Sequence, residues 1–312
     1  MTQTPAVLPA MLRPLIGAKL PDWLQVQWYD NRHQAVDLAP QAEIGWFDFF
    51  DRAAMHDAIT AASQLKWLNS IFAGVEQFPL ALLQERGVQL TNGAGINAVP
   101  IAEYVVMLML SHAKGYRDVV RAQDRHEWLK DSPGTRELFG SKALILGYGG
   151  IGREIAVRLE AFGVAVSKVS RSGGAGVLSP DAWRTELGAF DWVVIAVPAT
   201  PETVGMIGAA ELAAMKHDAV VVNIARGSVI DQAALLAALQ AGAIGGALLD
   251  VTTPEPLPAE DPLWDNAEIT MHLSGRAQSL AMVRAGERFV ANLDRYHRGE
   301  PLEPLVDYTH GY

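Results

Sequence analysis

The run A-L-I-L-G-Y-G-G-I-G at residues 143–152 decides the fold. Four apolar residues in succession read as a buried strand. Gly147, Gly149 and Gly152 follow in the spacing G-x-G-x-x-G. In that spacing the first glycine permits a tight turn. The second lets the backbone approach a diphosphate, and the third lets the next helix pack close to the strand. Residues 153–162, R-E-I-A-V-R-L-E-A-F, put Ile155, Ala156, Leu159 and Phe162 at helical spacing. The glycine loop therefore ends on a helix N-terminus, where free N–H groups and the dipole attract phosphate. A lone glycine motif is weak evidence. Between a strand and an amphipathic helix it points to a dinucleotide rather than to an ordinary glycine-rich βα turn. Tyr148, Gly150 and Ile151 complete this candidate cofactor loop.

Outward from the loop the chain keeps a β-α rhythm. After it, Val164–Val169, Asp191–Val197, Ala219–Ile224, Gly246–Val251 and Ile269–Met271 read as strands, making six with Ala143–Leu146. Ile151–Phe162, Ala209–Met215 and Gln232–Leu239 read as helices between them. Before it, Gln25–Tyr29, Ala42–Trp46, Leu65–Ser70 and Val88–Thr91 read as strands. Asp48–Ala62 and Val75–Glu85 read as helices, and a long helix over about Ile101–Arg121 connects two lobes. The last helix, about Ala277–Arg298, is expected to cross back to the first lobe. The expected fold class is α/β: two Rossmann-like, doubly wound parallel-sheet domains with an active-site cleft between them. The expected boundaries are 1–100 plus 278–312 for a discontinuous substrate domain and 101–277 for the dinucleotide-binding domain.

With 312 residues, half of them hydrophobic, the chain has enough apolar material for two cores. A net charge of −10 argues against nucleic acid or an anionic membrane surface as the partner, since both call for a basic face. An anionic small molecule needs only a local cluster of cations. The absence of cysteine excludes disulfides, thiolate metal sites and cysteine nucleophiles, and it fits a reducing cytoplasm. No signal-peptide pattern opens the chain, and no apolar run is long enough to span a bilayer.

The second strand of the dinucleotide half ends K-V-S-R-S. An NAD site usually carries an acidic residue about 20 residues past the glycine loop, where it binds the ribose 2′-hydroxyl. Here Ser170 stands in that position, followed by Arg171 and Ser172. No carboxylate repels a 2′-phosphate, and Arg171 can pair with one. NADP(H) is therefore the expected cofactor, with NAD(H) also possible. Lys168 adds a cation nearby.

Ligands of open α/β sheets bind beyond the carboxyl ends of the strands, and three reactive residues fall there. Arg226 follows V-V-V-N-I-A, Glu255 lies in the stiff loop D-V-T-T-P-E-P, and His272 ends I-T-M-H. Reduction of a ketone by hydride needs a proton donor working near neutral pH, which histidine supplies. A carboxylate beside it orients the ring, and an arginine can fork onto an acidic substrate. No His, Asp or Glu cluster has metal-ligand spacing, so no metal is expected.

The motifs together resemble the D-isomer-specific 2-hydroxyacid dehydrogenase family over nearly the whole chain. The resemblance rests on G-Y-G-G-I-G with its trailing A-F-G, V-P-A-T-P-E-T (197–203), N-I-A-R-G-S-V-I-D (223–231), L-D-V-T-T-P-E-P-L-P (249–258) and M-H-L-S-G. In the first lobe it rests on F-A-G-V (72–75) and N-A-V-P-I-A-E-Y (97–104). It implies that Arg226 binds substrate, that His272 is the acid/base and that Glu255 is its paired carboxylate. It further implies that backbone N–H groups at Ala73 and Gly74 hold the substrate carboxylate. Val197, Pro198 and Ala225 would line the cofactor site, with Asp250 near the nicotinamide carboxamide.

The S-R-S triplet is similar to that of the NADPH-preferring glyoxylate/hydroxypyruvate reductase branch, which places a pocket residue near Trp46, although a core tryptophan is an equal reading. The family is usually dimeric, and Gly115–Trp128 is where dimer contacts are expected. Two departures stand out: Met271 replaces the proline that usually precedes the histidine, and Thr252 replaces a phenylalanine. Glu255, where the formate dehydrogenases have glutamine, argues against formate. The expected reaction is hydride transfer between NADP(H) and a small 2-keto or 2-hydroxy acid. The alternatives are an NAD-dependent enzyme for a larger acid, 3-phosphoglycerate among them, and a non-catalytic dinucleotide-sensing scaffold. No long C-terminal regulatory domain of the kind seen in some serine-pathway relatives is expected.

Overall fold

The computed structural model describes residues 3–171, 173, 176–180, 182–276 and 280–308. The chain divides into two compact units, Met1–Asn97 with Gln278–Tyr312, and Ala98–Ala277. Each is built on one all-parallel sheet.

The first unit holds β1 (Thr4–Pro9), β2 (Leu24–Tyr29), β3 (Ile44–Gly45), β4 (Trp67–Asn69) and β5 (Gln89–Thr91), in the order β2-β1-β3-β4-β5. β1 was not expected from the sequence. Pro5 and Pro9 read as breakers, yet between them Ala6, Val7 and Leu8 are fully buried and pair with β2 and β3. The helix Arg32–Leu38 was also unexpected. It starts because the Asn31 side chain accepts from His33 N and Gln34 N.

The helix expected from Asp48 runs from Arg52 to Ala61, because Asp51 is its cap and accepts from Ala53 N and Ala54 N. Asp48 is thereby left in the loop after β3. The helix expected from Val75 begins only after Pro79, at Leu80–Glu85. Apolar side chains cover both sheet faces. Val7, Ile59, Leu68 and Leu90 form one core, and Leu8, Ile44, Trp46 and Trp67 form the other. Helix Ala281–Arg298 closes the latter through Phe289, 5.3 Å from Trp46 and 5.0 Å from Trp67. Trp46 is thus a core residue, 1% exposed, and not a pocket side chain. The first residues of the expected last helix, 277–279, lie outside the described set.

The second unit contains β6 (Lys142–Leu146), β7 (Ala165–Val169), β8 (Val177–Leu178), β9 (Trp192–Ile195), β10 (Val220–Asn223), β11 (Gly246–Leu249) and β12 (Glu268–Ile269), in the order β12-β11-β10-β9-β6-β7-β8. Counted within this unit, the order is 3-2-1-4-5-6 with a seventh strand added, the doubly wound dinucleotide topology. The sequence pointed to six strands. The extra one, β8, is a two-residue edge strand too short to show periodicity. The long helix expected over 101–121 is two helices, Ala98–Ala113 and Tyr116–Asp124, broken at Gly115, whose φ is +59°. Among the described residues no helix is long and apolar enough to cross a membrane.

Candidate active site

One row of paired residues crosses the carboxyl edge of the second sheet: Val169, Leu146, Ile195, Asn223, Leu249 and Ile269, each in register with the next. Every candidate of this unit follows that row within a few residues. The register therefore gathers them at one edge, although they are spread over more than a hundred residues of sequence.

The glycine loop leaves β6. Gly147 has φ +101°, and a Cβ there would stand 2.5 Å from Ala196 O, so only glycine fits. A Cβ on Gly152 would stand 2.1 Å from Gly147 O, which is how helix Gly150–Ala161 comes close to its strand. Nothing lies within 4 Å of the Cβ position on Gly149, the N-cap of that helix. The helix N-terminus thus faces open space over the residue where a diphosphate would approach. Tyr148 and Ile151 are half-buried, and Gly150 is exposed.

Beyond β7, Ser170 is half-buried and Arg171 exposed, both at the strand's end, while Ser172 lies outside the described residues. The nearby cation Lys168 is not available to this edge. Its Nζ donates to Glu160 Oε1 at 2.8 Å, and that hydrogen bond raises the ammonium above its ordinary range. Val197 and Pro198 follow β9, half-buried and exposed respectively.

Past β10, the buried Asn223 folds the turn that carries Arg226. Its Oδ1 accepts from Ala225 N and its Nδ2 donates to Arg226 O, each at 3.0 Å. Ala225 is buried, whereas Arg226 is exposed, with Nη1 donating to Ala225 O at 2.8 Å. Sequence reasoning overlooked Asn223. The signal was present as a lone polar residue closing the apolar run V-V-V-N.

The Glu255 loop and the His272 turn meet. His272 Nδ1 lies 2.8 Å from Glu255 Oε2, and Glu255 Oε1 accepts from Thr252 N at 3.2 Å. The carboxylate can only accept, so Nδ1 carries the hydrogen and Nε2 is the ring nitrogen left to face a reactant. Both side chains are about one-third exposed, at 36% and 37%. The turn itself is strained: Met271 and His272 have φ of +57° and +56°, a region that non-glycine residues seldom occupy.

Asp250 holds that turn in place. Its carboxylate is 1% exposed and accepts from Thr270 Oγ1 (2.8 Å), Leu273 N (2.9 Å), Ser274 N (3.2 Å) and Ser274 Oγ (2.5 Å). His272 N donates to the Asp250 carbonyl at 2.5 Å. The carboxylate that the resemblance puts near the nicotinamide is therefore engaged with the histidine's own turn.

In the first unit, Ala73 is exposed and Gly74 half-buried, in the turn after β4. Among the described residues the N–H groups of Ala73 and Gly74 have no hydrogen-bond partner, whereas the carbonyls of Phe72 and Ala73 are held by Gly93 N (2.8 Å) and Asn92 Nδ2 (2.9 Å). Two adjacent free donors on a fixed turn can receive an anion. Among the described residues no group of three or more His, Cys, Asp or Glu side chains could hold a metal.

Comparison with known proteins gives the family. The family described as "D-isomer specific 2-hydroxyacid dehydrogenase, NAD binding domain" matches residues 106–274. A D-3-phosphoglycerate dehydrogenase from Archaeoglobus fulgidus is 31% identical over 80% of this chain. The match covers 49% of that relative, so the chain spans about half its length. Among solved structures, a D-isomer specific 2-hydroxyacid dehydrogenase family protein from Aeromonas salmonicida is 33% identical with a TM-score of 0.84. The match covers 98% of this chain and 100% of that one. An NADPH-dependent glyoxylate/hydroxypyruvate reductase from Sinorhizobium meliloti, solved with NADP and sulfate, is 28% identical with a TM-score of 0.77. It covers 99% of this chain and 100% of its own. The glycine loop, the His272–Glu255 pair and these matches identify the chain as a member of the D-isomer specific 2-hydroxyacid dehydrogenase family.

Proposed function

We propose that this protein is a 2-keto acid reductase that uses NADPH and acts on a small substrate of the glyoxylate or hydroxypyruvate type. The observation that carries this reading is the His272–Glu255 contact of 2.8 Å on the same sheet edge as the glycine loop and Arg226. The dinucleotide-binding domain is the second unit and the substrate domain the first.

The open space over Gly149 and the helix N-terminus behind it fit a diphosphate. Gly147–Gly152, Val197, Pro198 and Ala225 would hold the dinucleotide, with Ser170, Arg171 and Ser172 at the adenosine ribose, while Asp250 serves the histidine turn beside them. A dinucleotide bound there would supply a hydride for C2 of the substrate. His272 donates its Nε2 proton to the ketone oxygen, which becomes the hydroxyl. Glu255 keeps Nδ1 protonated, so the ring is aimed correctly and its positive charge is compensated before the proton leaves. Arg226 pairs with the substrate carboxylate and polarises the carbonyl beside it. Within the first unit, the Ala73 and Gly74 N–H groups would offer two donors to a carboxylate.

The 2′-phosphate preference rests on the absence of an acidic residue at Ser170–Arg171. The likeness to a reductase solved with NADP supports it. The match to phosphoglycerate dehydrogenases favours a second reading, NAD-dependent oxidation of a larger 2-hydroxy acid. Initial rates with NADPH and NADH, against glyoxylate, hydroxypyruvate and 3-phosphoglycerate, separate the two. Faster turnover with NADPH and either small keto acid is expected. Turnover confined to NADH refutes the reading of Ser170–Ser172, and no turnover with any acid returns the scaffold alternative.

A homodimer and a cytoplasmic location complete the proposal. Tyr116, Val119, Val120 and Trp128 leave an exposed apolar face within Gly115–Trp128, the segment expected to carry dimer contacts.

A further inference from the structure

Asp48 is a half-buried acidic group that the proposed chemistry leaves unused. It lies three residues past β3, in F-D-F-F, and its carboxylate accepts from Trp46 Nε1 (2.5 Å), Ser70 Oγ (2.6 Å) and Ile71 N (2.7 Å). Among the described residues no Lys, Arg or His side chain pairs with it. Burying a carboxylate without a cation is costly, and three neutral donors offset that only in part. Burial raises its titration to about 6 against those three hydrogen bonds. An apolar residue would fill this position without that cost, so the position of the charge calls for a reason.

The reason is what the three donors belong to. Two of them, Ser70 and Ile71, open the turn that ends at Ala73 and Gly74. Ser70 Oγ passes the constraint on, accepting from Phe72 N at 2.9 Å while donating to Asp48. The N–H groups of Ile71 and Phe72 are thereby drawn toward the core. On the other side of the turn, Gly93 N and Asn92 Nδ2 take the carbonyls of Phe72 and Ala73. Gly93 is itself required, since a Cβ there would stand 1.8 Å from Ile71 O. With the preceding donors and these carbonyls all committed, the next two N–H groups, Ala73 and Gly74, are the ones left free.

We propose that Asp48 is a positioning residue for the substrate carboxylate: its carboxylate, through its bonds to Ser70 and Ile71, folds the Ser70–Gly74 turn so that the Ala73 and Gly74 N–H groups stand ready for the anion. This rests on the reading of the protein as a 2-keto acid reductase. Asp48 acts through the turn and touches neither substrate nor cofactor.

The test is steady-state kinetics of the full-length protein with glyoxylate and hydroxypyruvate, for wild type, Asp48→Asn and Ser70→Ala. Asp48→Asn keeps the shape but puts an NH2 group against donors. It is expected to raise KM for the keto acid by about tenfold or more, with kcat and the KM for NADPH within about threefold. Ser70→Ala removes the hydroxyl's bonds to Asp48 and to Phe72 N and leaves the bonds from Trp46 and Ile71 to Asp48, and about threefold to tenfold in KM is expected. It also keeps the proposal testable if Asp48→Asn does not fold. A merely structural role would lower the fraction of active enzyme, and so kcat, while leaving KM unchanged. An active wild type with unchanged KM in both variants that fold overturns this inference alone. A wild type inert toward every 2-keto acid overturns the functional reading, and this inference with it.

Discussion

Beside each sheet an aspartate organises a neighbouring turn, Asp250 buried and Asp48 half-buried, and the two do so differently. Asp250, at the carboxyl edge of the second sheet, holds two backbone N–H groups and two hydroxyls. The turn it closes contains two consecutive non-glycine residues at positive φ, Met271 and His272. Asp48, in the first sheet, holds one N–H, one hydroxyl and one indole. The Ser70–Gly74 turn has no residue at positive φ. Residues held in the left-handed region cost about 1–3 kcal/mol each, so the histidine turn needs the denser set of bonds. It presents one side chain in a fixed direction, and that requires an unusual backbone. The other turn presents backbone N–H groups, which an ordinary turn does once the neighbouring donors are committed elsewhere.

The largest expected effect breaks the comparison at the reactive group. His272→Ala should lower kcat by roughly 10²–10⁴ with a much smaller change in KM, measured with saturating NADPH. An unchanged kcat would remove His272 from the chemistry and leave its strained turn without a function.

A smaller effect sharpens the difference in strain. Proline is fixed near φ −65° and cannot adopt the +57° of Met271, so this turn takes a path closed to the residue that relatives usually carry there. Met271→Pro should reshape the turn and cost activity together with about 2–4 kcal/mol of stability. Met271→Gly, which accepts positive φ freely, should be neutral or raise stability by up to about 1 kcal/mol. Chemical denaturation of both variants reads this out, and equal destabilisation would mean that the turn is not strained at Met271.

A third effect, spread over about two pH units, concerns charge. Burial raises Asp48 from 3.8 to about 6 in the folded protein, so the native state binds that proton more tightly than the unfolded chain. The stability this lends is fully present below about pH 4 and is lost as pH rises through about 6, a change of about 3 kcal/mol. Tyr29 is the titratable neighbour that feels this charge. Its hydroxyl donates to Trp46 O, and burial, then the Asp48 charge, keep it protonated well above its ordinary range. Urea unfolding between pH 4 and pH 8 should show the slope as the difference between wild type and Asp48→Asn, which cancels the other carboxylates. A flat difference would mean that Asp48 is not held as an acid in the core.

How much of this could be read from residues alone differs between the two turns. Gly147, Gly149 and Gly152 announced their strand and helix because backbone sterics act over a few residues. Arg226, Glu255 and His272 could be named because each lies in the loop just past an apolar strand, and in a parallel sheet all such ends lie on one edge. Asn223 and Asp250 were partly legible as polar residues closing apolar strands. Asp48 was not. The apolar pattern around it suggested a helix, and the cap at Asp51 starts that helix three residues later. β1 was missed because Pro5 and Pro9 hide a buried centre, and β8 because two residues carry no period.

By itself, then, the sequence determined most of the elements, the parallel sheets, the glycine loop and the set of reactive side chains, because local sterics and hydrophobic periodicity are written in neighbouring residues. Only the tertiary structure decided which ones meet. His272 and Glu255 are 17 residues apart and come within 2.8 Å through the turn that Asp250 closes. Asp48 reaches Ser70 over 22 residues through the pairing of β3 with β4. Such contacts depend on strand register and on where a buried charge finds donors, and neither is contained in any local stretch of chain.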